Sequence, residues 1–213
     1  MTVKARIKHK NIQTRGITGW CCVVEPNTKF DPDGPGEFQC DLIVDEATVN
    51  QVKEQLKEPY EKELRAVMEQ YPDKKIAQRG LPIEQKDGKF VIKTKKKGAY
   101  KDKTGVIRPA SVAIFDSQCN DIEDTSDLKL WGGSDVVLTY RPNFWYVPSL
   151  GFGVTLVILA VQIIKLSDGG ISSSSAERFG FTPIEEGYVN GGENLDSAFD
   201  AEEETTETLT ANF

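Results

Sequence analysis

Cations that could hold a polyanion are concentrated in residues 86–108. Nine lysine or arginine side chains stand there against two aspartates, a net charge of +7. In an alternating strand Lys93, Lys95 and Lys97 share one face, with successive ammonium groups about 7 Å apart. This spacing is similar to the phosphate repeat of an extended single strand, so the segment predicts a groove that follows a nucleic-acid backbone. Taken by itself, the segment is equally consistent with the alternative, a solvated lysine-rich hairpin that binds no nucleic acid.

Aromatic rings supply a second kind of chemistry, stacking on bases. Tyr100 lies within the basic segment, and three consecutive rings occupy positions 144–146. Nearby prolines and Gly151 predict a loop over 141–146, with at least one ring exposed. A ring stacks on a base with about 1–3 kcal/mol, whatever the base. The alternative is that one or two of the rings cap the end of a barrel. Trp20 is a weaker candidate, because a lone tryptophan is more often part of a core.

The charge of the chain is distributed unevenly. The total of −7 divides into +3 for residues 1–165 and −10 for residues 166–213. A basic body with an acidic tail is typical of a nucleic-acid binder that carries an interaction tail. Low hydrophobicity and charge of one sign predict a flexible linker over 167–192 and a disordered acidic tail over 193–213 that ends in Phe213. The remaining domain is then 1–166.

Several functional classes are disfavoured by the motifs. The four cysteines form no CxxC pair and His9 is the single histidine, so neither a zinc site nor a disulfide framework is expected. Phosphate-loop, dinucleotide-binding and zinc-protease motifs are lacking, which disfavours an enzyme and a cofactor. The apolar run 154–164 is shorter than the roughly 20 residues that a helix needs to span a bilayer. We therefore expect no membrane partner.

The periodicity of apolar residues indicates how these groups are positioned. Alternation predicts strands at 3–10 and 38–44, and β-rich runs predict strands at 20–24, 90–92, 111–115 and 136–140. A run that is apolar on both faces predicts a further, covered strand at 154–164. Spacings of three and four predict one long helix over 46–71, capped by Asp45 and either kinked or divided at Pro59. Short strands, turn-rich loops and one helix predict an α+β, mainly β fold. We expect an OB-fold barrel of five or six strands with one long inserted helix.

The chain resembles the gene 2.5-like bacteriophage single-stranded DNA-binding proteins. The resemblance covers most of 15–166 and rests on the order of short motifs: 36–44, the helix 46–71, 90–93, 100–103, 112–117, Trp-Gly-Gly-Ser at 131–134, Tyr140 with the aromatic stretch, and 153–166. It implies an OB-fold that binds single strands without sequence preference. It further implies that the acidic tail and its last phenylalanine contact replication partners and compete with DNA for the groove.

Residues and resemblance together predict a sequence-independent single-stranded DNA-binding protein that acts in phage DNA replication, recombination and repair, in the cytoplasm of the infected bacterial host. The predicted protein partners are the phage DNA polymerase and helicase/primase, and a homodimer is a further expectation. The alternatives are an OB-like protein-interaction module that ignores DNA, and an RNA- or duplex-binding variant. The predicted DNA-binding residues are Arg6, Lys8, Lys10, Trp20, Lys93, Lys95, Lys97, Tyr100, Lys101, Lys103, Arg108, Arg141, Phe144, Trp145 and Tyr146. The predicted partner-binding residues are Glu202, Glu203, Glu204, Glu207 and Phe213.

Overall fold

Alternating burial marks the strands. In the computed structural model, which describes residues 9–29 and 31–167, every second side chain of the strand Glu37–Val44 is buried. All described residues belong to one compact unit of the chain, Met1–Ser173. Apart from Ser167, the predicted linker and tail lie outside the described residues, so the predicted division of the chain stays a prediction. The elements in chain order are β1 (Ile12–Asn27), β2 (Glu37–Val44), α1 (Glu46–Gln70), β3 (Ile83–Lys86), β4 (Lys89–Lys97), β5 (Ala99–Lys101), β6 (Ile107–Pro109), β7 (Ala113–Phe115), β8 (Asp135–Val147) and β9 (Gly151–Lys165).

Five of the strands close into a barrel. β1 pairs antiparallel with both β2 and β8, while β2 also pairs with β4 and β8 also pairs with β9. A parallel contact between Thr94 of β4 and Leu156 of β9 completes the circle. Strands β3 and β7 extend the sheet, and β5 and β6 form a separate hairpin. The predicted OB-type barrel is confirmed, and its closure pairs strand edges within the fold.

The interior of the barrel is apolar with a few paired hydroxyls. Leu42, Leu138 and Leu156 are fully buried inside it. Removing such apolar surface from water is the main favourable term in folding. Tyr140 is also fully buried, and its hydroxyl lies 2.8 Å from the hydroxyl of Thr14. Burial raises the pKa of Tyr140 to about 12, so the ring stays neutral in the core.

Helix α1 packs against the barrel through one face. Its first turn is capped as predicted, because the carboxylate of Asp45 accepts a hydrogen bond of 2.8 Å from the backbone N–H of Thr48. Val49, Val52 and Leu56 are the buried residues of the helix. The helix continues through Pro59 to Gln70, so the alternative of a second helix starting at Pro59 is wrong.

The first strand differs from its prediction. β1 runs without interruption from Ile12 to Asn27, so the predicted strand 20–24 is part of a longer strand that also contains Gly16 and Gly19. The strand absorbs the second glycine in a register shift between the pairs Thr18–Leu42 and Cys21–Cys40. The predicted strand 3–10 lies outside the described residues except for positions 9 and 10, which are not in a strand.

The aromatic stretch is strand, so the loop predicted over 141–146 is wrong. β8 continues to Val147 and pairs with β9 along this whole stretch. Pairing with β1 ends at Tyr140, and Pro142 therefore lies where β8 has a barrel neighbour on one side only. A sheet tolerates proline at such a position because the missing N–H needs no partner there. The turn that follows is confined to residues 148–150.

Candidate nucleic-acid interface

The predicted lysine row exists and lies on the outer face of the barrel. Alternation along β4 buries Ile92 and Thr94 and turns Lys93, Lys95 and Lys97 outward. In register beside them, β2 presents Asp41, Gln39 and Glu37 in that order. These are the second and third barrel strands in chain order, the strands whose face carries oligonucleotides in many OB-folds.

Carboxylates already accompany two of the three lysines. The ammonium of Lys93 donates to Glu84 of β3 at 2.7 Å, and Lys95 lies 3.6 Å from the carboxylate of Glu37. The hydrogen bond to Glu84 raises the pKa of Lys93. Both pairs are solvent-exposed, where an ion pair contributes little free energy and exchanges readily for another anion. Two lysines of the row therefore have weakly bound carboxylate partners that an incoming anion can displace.

Removing the counter-ion of Lys93 is expected to strengthen anion binding. Glu84→Gln frees the ammonium without changing the length of the side chain, so affinity for oligo(dT) should rise by up to about fivefold, the limit set by an exposed ion pair. Anisotropy titration measures this rise. Glu69→Gln removes one charge from an exposed position on α1 and should have little effect. Equal effects of the two substitutions would mean that only net charge matters.

Trp20 is placed beside the lysine row. Its side chain is 60% exposed, so the expectation that a lone tryptophan belongs to the core is wrong for this residue. It borders a cleft of about 400 Å³ together with residues from three other barrel strands and with Pro82. The lining residues are Trp20, Gln39, Asp41, Pro82, Lys93, Thr94, Lys95, Val154, Thr155 and Leu156. An aromatic ring next to ammonium groups in an open cleft is the arrangement that binds single strands.

The three consecutive rings of β8 have three different environments. Phe144 contacts the rings of Tyr60 on α1 and Phe152 on β9, with ring centroids 6.0 and 6.1 Å away. Tyr146 packs on Tyr71 at the end of α1, with ring centroids 5.0 Å apart. These contacts favour a packing role for both rings, which was the alternative for this stretch.

Trp145 points to the other side of β8, toward the cleft of Trp20. Its indole N–H donates to the hydroxyl of Thr155, a residue that lines this cleft, at 3.2 Å. The ring covers Gly153, where an added Cβ would lie 2.5 Å from a ring carbon. Glycine at this position lets the ring lie close to the β9 backbone. Of the three rings, Trp145 is therefore the one adjacent to the candidate interface.

The other predicted cations of the basic segment lie on the β5–β6 hairpin. Tyr100, 55% exposed, pairs with Arg108 across this hairpin and shares its face. Lys101 and Lys103 are exposed on the same hairpin. The turn is held by Asp102, whose carboxylate accepts hydrogen bonds from Thr104 and, at 2.9 Å, from Nε of Arg108. The hairpin thus presents an aromatic ring and an oriented guanidinium side by side.

This turn is expected to persist in acid. The hydrogen bonds from Thr104 and then Arg108 lower the pKa of Asp102 to about 2. Since the folded pKa lies below the unfolded value of about 3.9, the stability it contributes is present above that pH and lost as the pH falls toward 2. Carboxyl NMR titration should place the Asp102 midpoint near 2, and Arg108→Gln should raise it. Lys103→Gln, which removes a cation that does not contact Asp102, is the matched control. A wild-type midpoint near 3.9 would contradict this turn geometry.

The remaining predicted cations are more scattered. Arg141 is half-buried on β8, and Lys10 is exposed two residues before β1. Arg6, Lys8 and all predicted partner-binding residues of the tail lie outside the described residues. Lys96, on the opposite side of β4 from the lysine row, donates to the backbone carbonyl of Ser111. Burial and the nearby charge of Arg141 lower the pKa of Lys96.

Sequence reasoning missed the acidic and polar side chains of the interface. Alternation over 37–44 could have placed Glu37, Gln39 and Asp41 outward, because it is the same signal that predicted the strand. Asp87 and Gly88, both with positive φ, form the two-residue turn of the β3–β4 hairpin, and this Asp-Gly signal could have placed Glu84 beside β4. Thr155 carries no comparable signal, because it reaches the face through pairing of distant segments. Within the described ranges no group of three or more metal-ligating side chains occurs, and no helix there is long and apolar enough to cross a membrane.

The fold is similar to that of known structures, whereas no protein-family model and no curated protein sequence matches the chain. One similar structure is gp2.5, a single-stranded DNA-binding protein encoded by bacteriophage T7, with a TM-score of 0.65 and 19% identity over 75% of this chain and 93% of that chain. Another is the single-stranded DNA-binding protein from bacteriophage Enc34 in complex with ssDNA, with a TM-score of 0.55 and 14% identity over 79% of this chain and 99% of that chain. A C-terminal truncation of the Enc34 protein gives a TM-score of 0.54 and 13% identity over the same shares. The described part of this chain therefore has the barrel fold of phage single-stranded DNA-binding proteins.

Proposed function

We propose that this protein binds single-stranded DNA on the outer face of β2 and β4, without strict dependence on sequence. One observation carries the proposal: the exposed ring of Trp20 shares an open cleft with the ammonium groups of Lys93 and Lys95. Aromatic platforms bind any base, and lysines bind the backbone that all sequences share. The presence of ssDNA in one of the similar structures supports the same activity.

Binding starts from the electrostatics of the lysine row. Phosphates of the DNA replace the carboxylates of Glu84 and Glu37 as partners of Lys93 and Lys95. This neutralisation releases the counter-ions that were bound to the DNA strand. A base then stacks on Trp20, with Trp145 at the neighbouring edge of the cleft. The β5–β6 hairpin adds a second contact through Tyr100 and Arg108. The proposed role is binding without catalysis.

The acidic tail is proposed to regulate this face. Residues 193–213 carry seven carboxylates and no cation. Carboxylates mimic phosphates and a terminal ring mimics a base, so the tail competes with DNA for the lysine row. The same tail recruits the phage polymerase and helicase/primase through Phe213. These contacts would place the protein in phage replication, recombination and repair within the infected cell, and a homodimer remains part of the proposal.

Tryptophan fluorescence during titration with oligo(dT), over a salt series, tests the proposal. Quenching should saturate, and neutralisation of five phosphates by Lys93, Lys95, Lys97, Lys101 and Lys103 implies a log–log salt slope of about −3.5. A chain that ends at Gly192 should bind more tightly. Unchanged affinity after this truncation would overturn the competition by the tail. Failure of both chains to bind would instead favour the protein-interaction module. Tighter binding of an RNA or duplex DNA competitor than of oligo(dT) would favour the RNA- or duplex-binding alternative.

Matched lysine substitutions locate the site in the same assay. The triple change K93Q/K95Q/K97Q should reduce the salt slope by about 2, since each single-strand phosphate contributes about 0.7. The control K53Q/K57Q/K62Q removes the same charge from α1, and its slope should stay at the wild-type value. Equal salt slopes for the two triple variants would contradict the placement of the DNA backbone along the lysine row of β4.

A further inference from the structure

An irregularity in β1 places Trp20 directly beside Asp41. The pair Thr18–Leu42 is followed by the pair Cys21–Cys40, so Gly19 and Trp20 together oppose the single residue Asp41. Such a bulge redirects a side chain at one point of a sheet. Glycine at position 19 fits the crowded side of the bulge, where an added Cβ would lie 3.3 Å from the Cβ of Asp41. The ring and the carboxylate therefore border the same cleft.

The carboxylate of Asp41 has no hydrogen-bond donor or ion-pair partner among the described residues. Lys93 stands opposite it in the register, yet the ammonium of Lys93 lies on Glu84 at 2.7 Å. Asp41 is half-buried, and burial raises the pKa of its carboxyl against the opposing effect of Lys93. Its carboxylate oxygens are not buried from solvent, so a ligand with N–H donors can take the place of water there.

The chemistry of this acceptor selects among the groups of a DNA strand. A phosphate is repelled by a carboxylate, so Asp41 suits a base with N–H donors. Guanine offers two adjacent donors, N1–H and the N2 amino group, which match the two oxygens of one carboxylate. Cytosine and adenine offer one amino group next to an acceptor nitrogen. The single N–H of thymine stands between two carbonyl oxygens that a carboxylate repels.

We propose that the cleft between Trp20 and Asp41 is a base pocket that prefers guanine. The base stacks on the exposed face of Trp20, and Asp41 accepts hydrogen bonds from N1–H and N2–H. The ammonium groups of Lys93 and Lys95 hold the flanking phosphates. A cleft of about 400 Å³ has room for one nucleotide. This inference rests on the proposed function and adds a single biased position to a face that otherwise tolerates any sequence.

Four labelled oligonucleotides test the preference with the full chain. Fluorescein-labelled d(TG)6, d(TI)6, d(TC)6 and d(CA)6, none of which forms Watson–Crick pairs with itself, are titrated by anisotropy at one salt concentration, where inosine is guanine without its N2 amino group. We expect d(TG)6 to bind at least about fivefold more tightly than d(TC)6 and d(CA)6, the lower end for a bidentate contact. Affinity for d(TI)6 should fall between these values because one of the two donors is lost.

Substitution of Asp41 assigns the preference to its carboxylate. Asp41→Asn should bring the four affinities together while binding persists. Glu69→Gln, which removes a charge on α1 away from the cleft, should keep the preference for guanine. The comparison of guanine with inosine in the wild-type chain needs no variant and covers the case in which Asp41→Asn fails to fold.

The outcomes separate this inference from the proposed function. Equal affinity of the wild-type chain for all four oligonucleotides would overturn the guanine pocket and leave single-strand binding standing. A preference that survives in Asp41→Asn would overturn the role of Asp41. Failure to bind any of the four would instead contradict the proposed function itself.

Discussion

Replacing Trp20 with alanine is expected to weaken binding of oligo(dT) by about 5- to 150-fold, the range for loss of one stacked base at about 1–3 kcal/mol. The reason is geometric: the ring is exposed and borders the cleft that also contains Lys93 and Lys95. The loss should persist across a salt series, because stacking releases no counter-ions. Anisotropy titration at three or more salt concentrations measures both the size and the salt dependence of the effect.

Trp131 provides the matched control for this substitution. It is 53% exposed, similar to Trp20, but it lines a different cleft together with Cys21 and Cys22. Trp131→Ala should therefore leave affinity within about twofold of the wild type, as expected for a surface change away from the site. A loss with Trp131→Ala as large as that with Trp20→Ala would move the binding path to the other cleft.

Replacing Leu56 with alanine is expected to lower the free energy of unfolding by about 2–5 kcal/mol. Leu56 is fully buried where α1 meets the barrel, so its truncation removes apolar contacts and leaves a cavity. Urea unfolding followed by circular dichroism measures the change. A loss of this size takes a large part of the stability of an ordinary domain.

The control for this prediction lies on the same helix. Leu64 is half-buried two turns further along α1, and Leu64→Ala should cost less than about 2 kcal/mol because less apolar surface returns to water. Similar small losses for both substitutions would mean that α1 is an appendage to the barrel. The expected contrast would show that the inserted helix is part of the core on which the binding face rests.

The counter-ions on the lysine row bear on how such a face works in a cell. Glu84 and Glu37 each form an ion pair with one ammonium group of the row while no strand is bound. Because both pairs are exposed, a phosphate can replace either carboxylate at a small cost in free energy. In the proposed function, a single strand that engages several lysines at once can therefore displace both carboxylates.

The amino-acid sequence by itself determined the local features of this protein. Alternation was sufficient to place Lys93, Lys95 and Lys97 on one face, and spacings of three and four were sufficient for α1 with its Asp45 cap. Both periodic signals depend on residues close together in the sequence, so they can be recognised without knowledge of the tertiary contacts. The OB-type barrel was expected from the number of strand patterns and the single long helix together with the family resemblance.

Only the tertiary structure decided which side chains meet. The bulge at Gly19 and Trp20 depends on the register of β1 against β2, and it turns a ring outward that the sequence alone would assign to a core. Strand rather than loop at 141–147 depends on pairing with β9. Each of these depends on pairing between segments, and pairing is set by packing energies that no local pattern encodes.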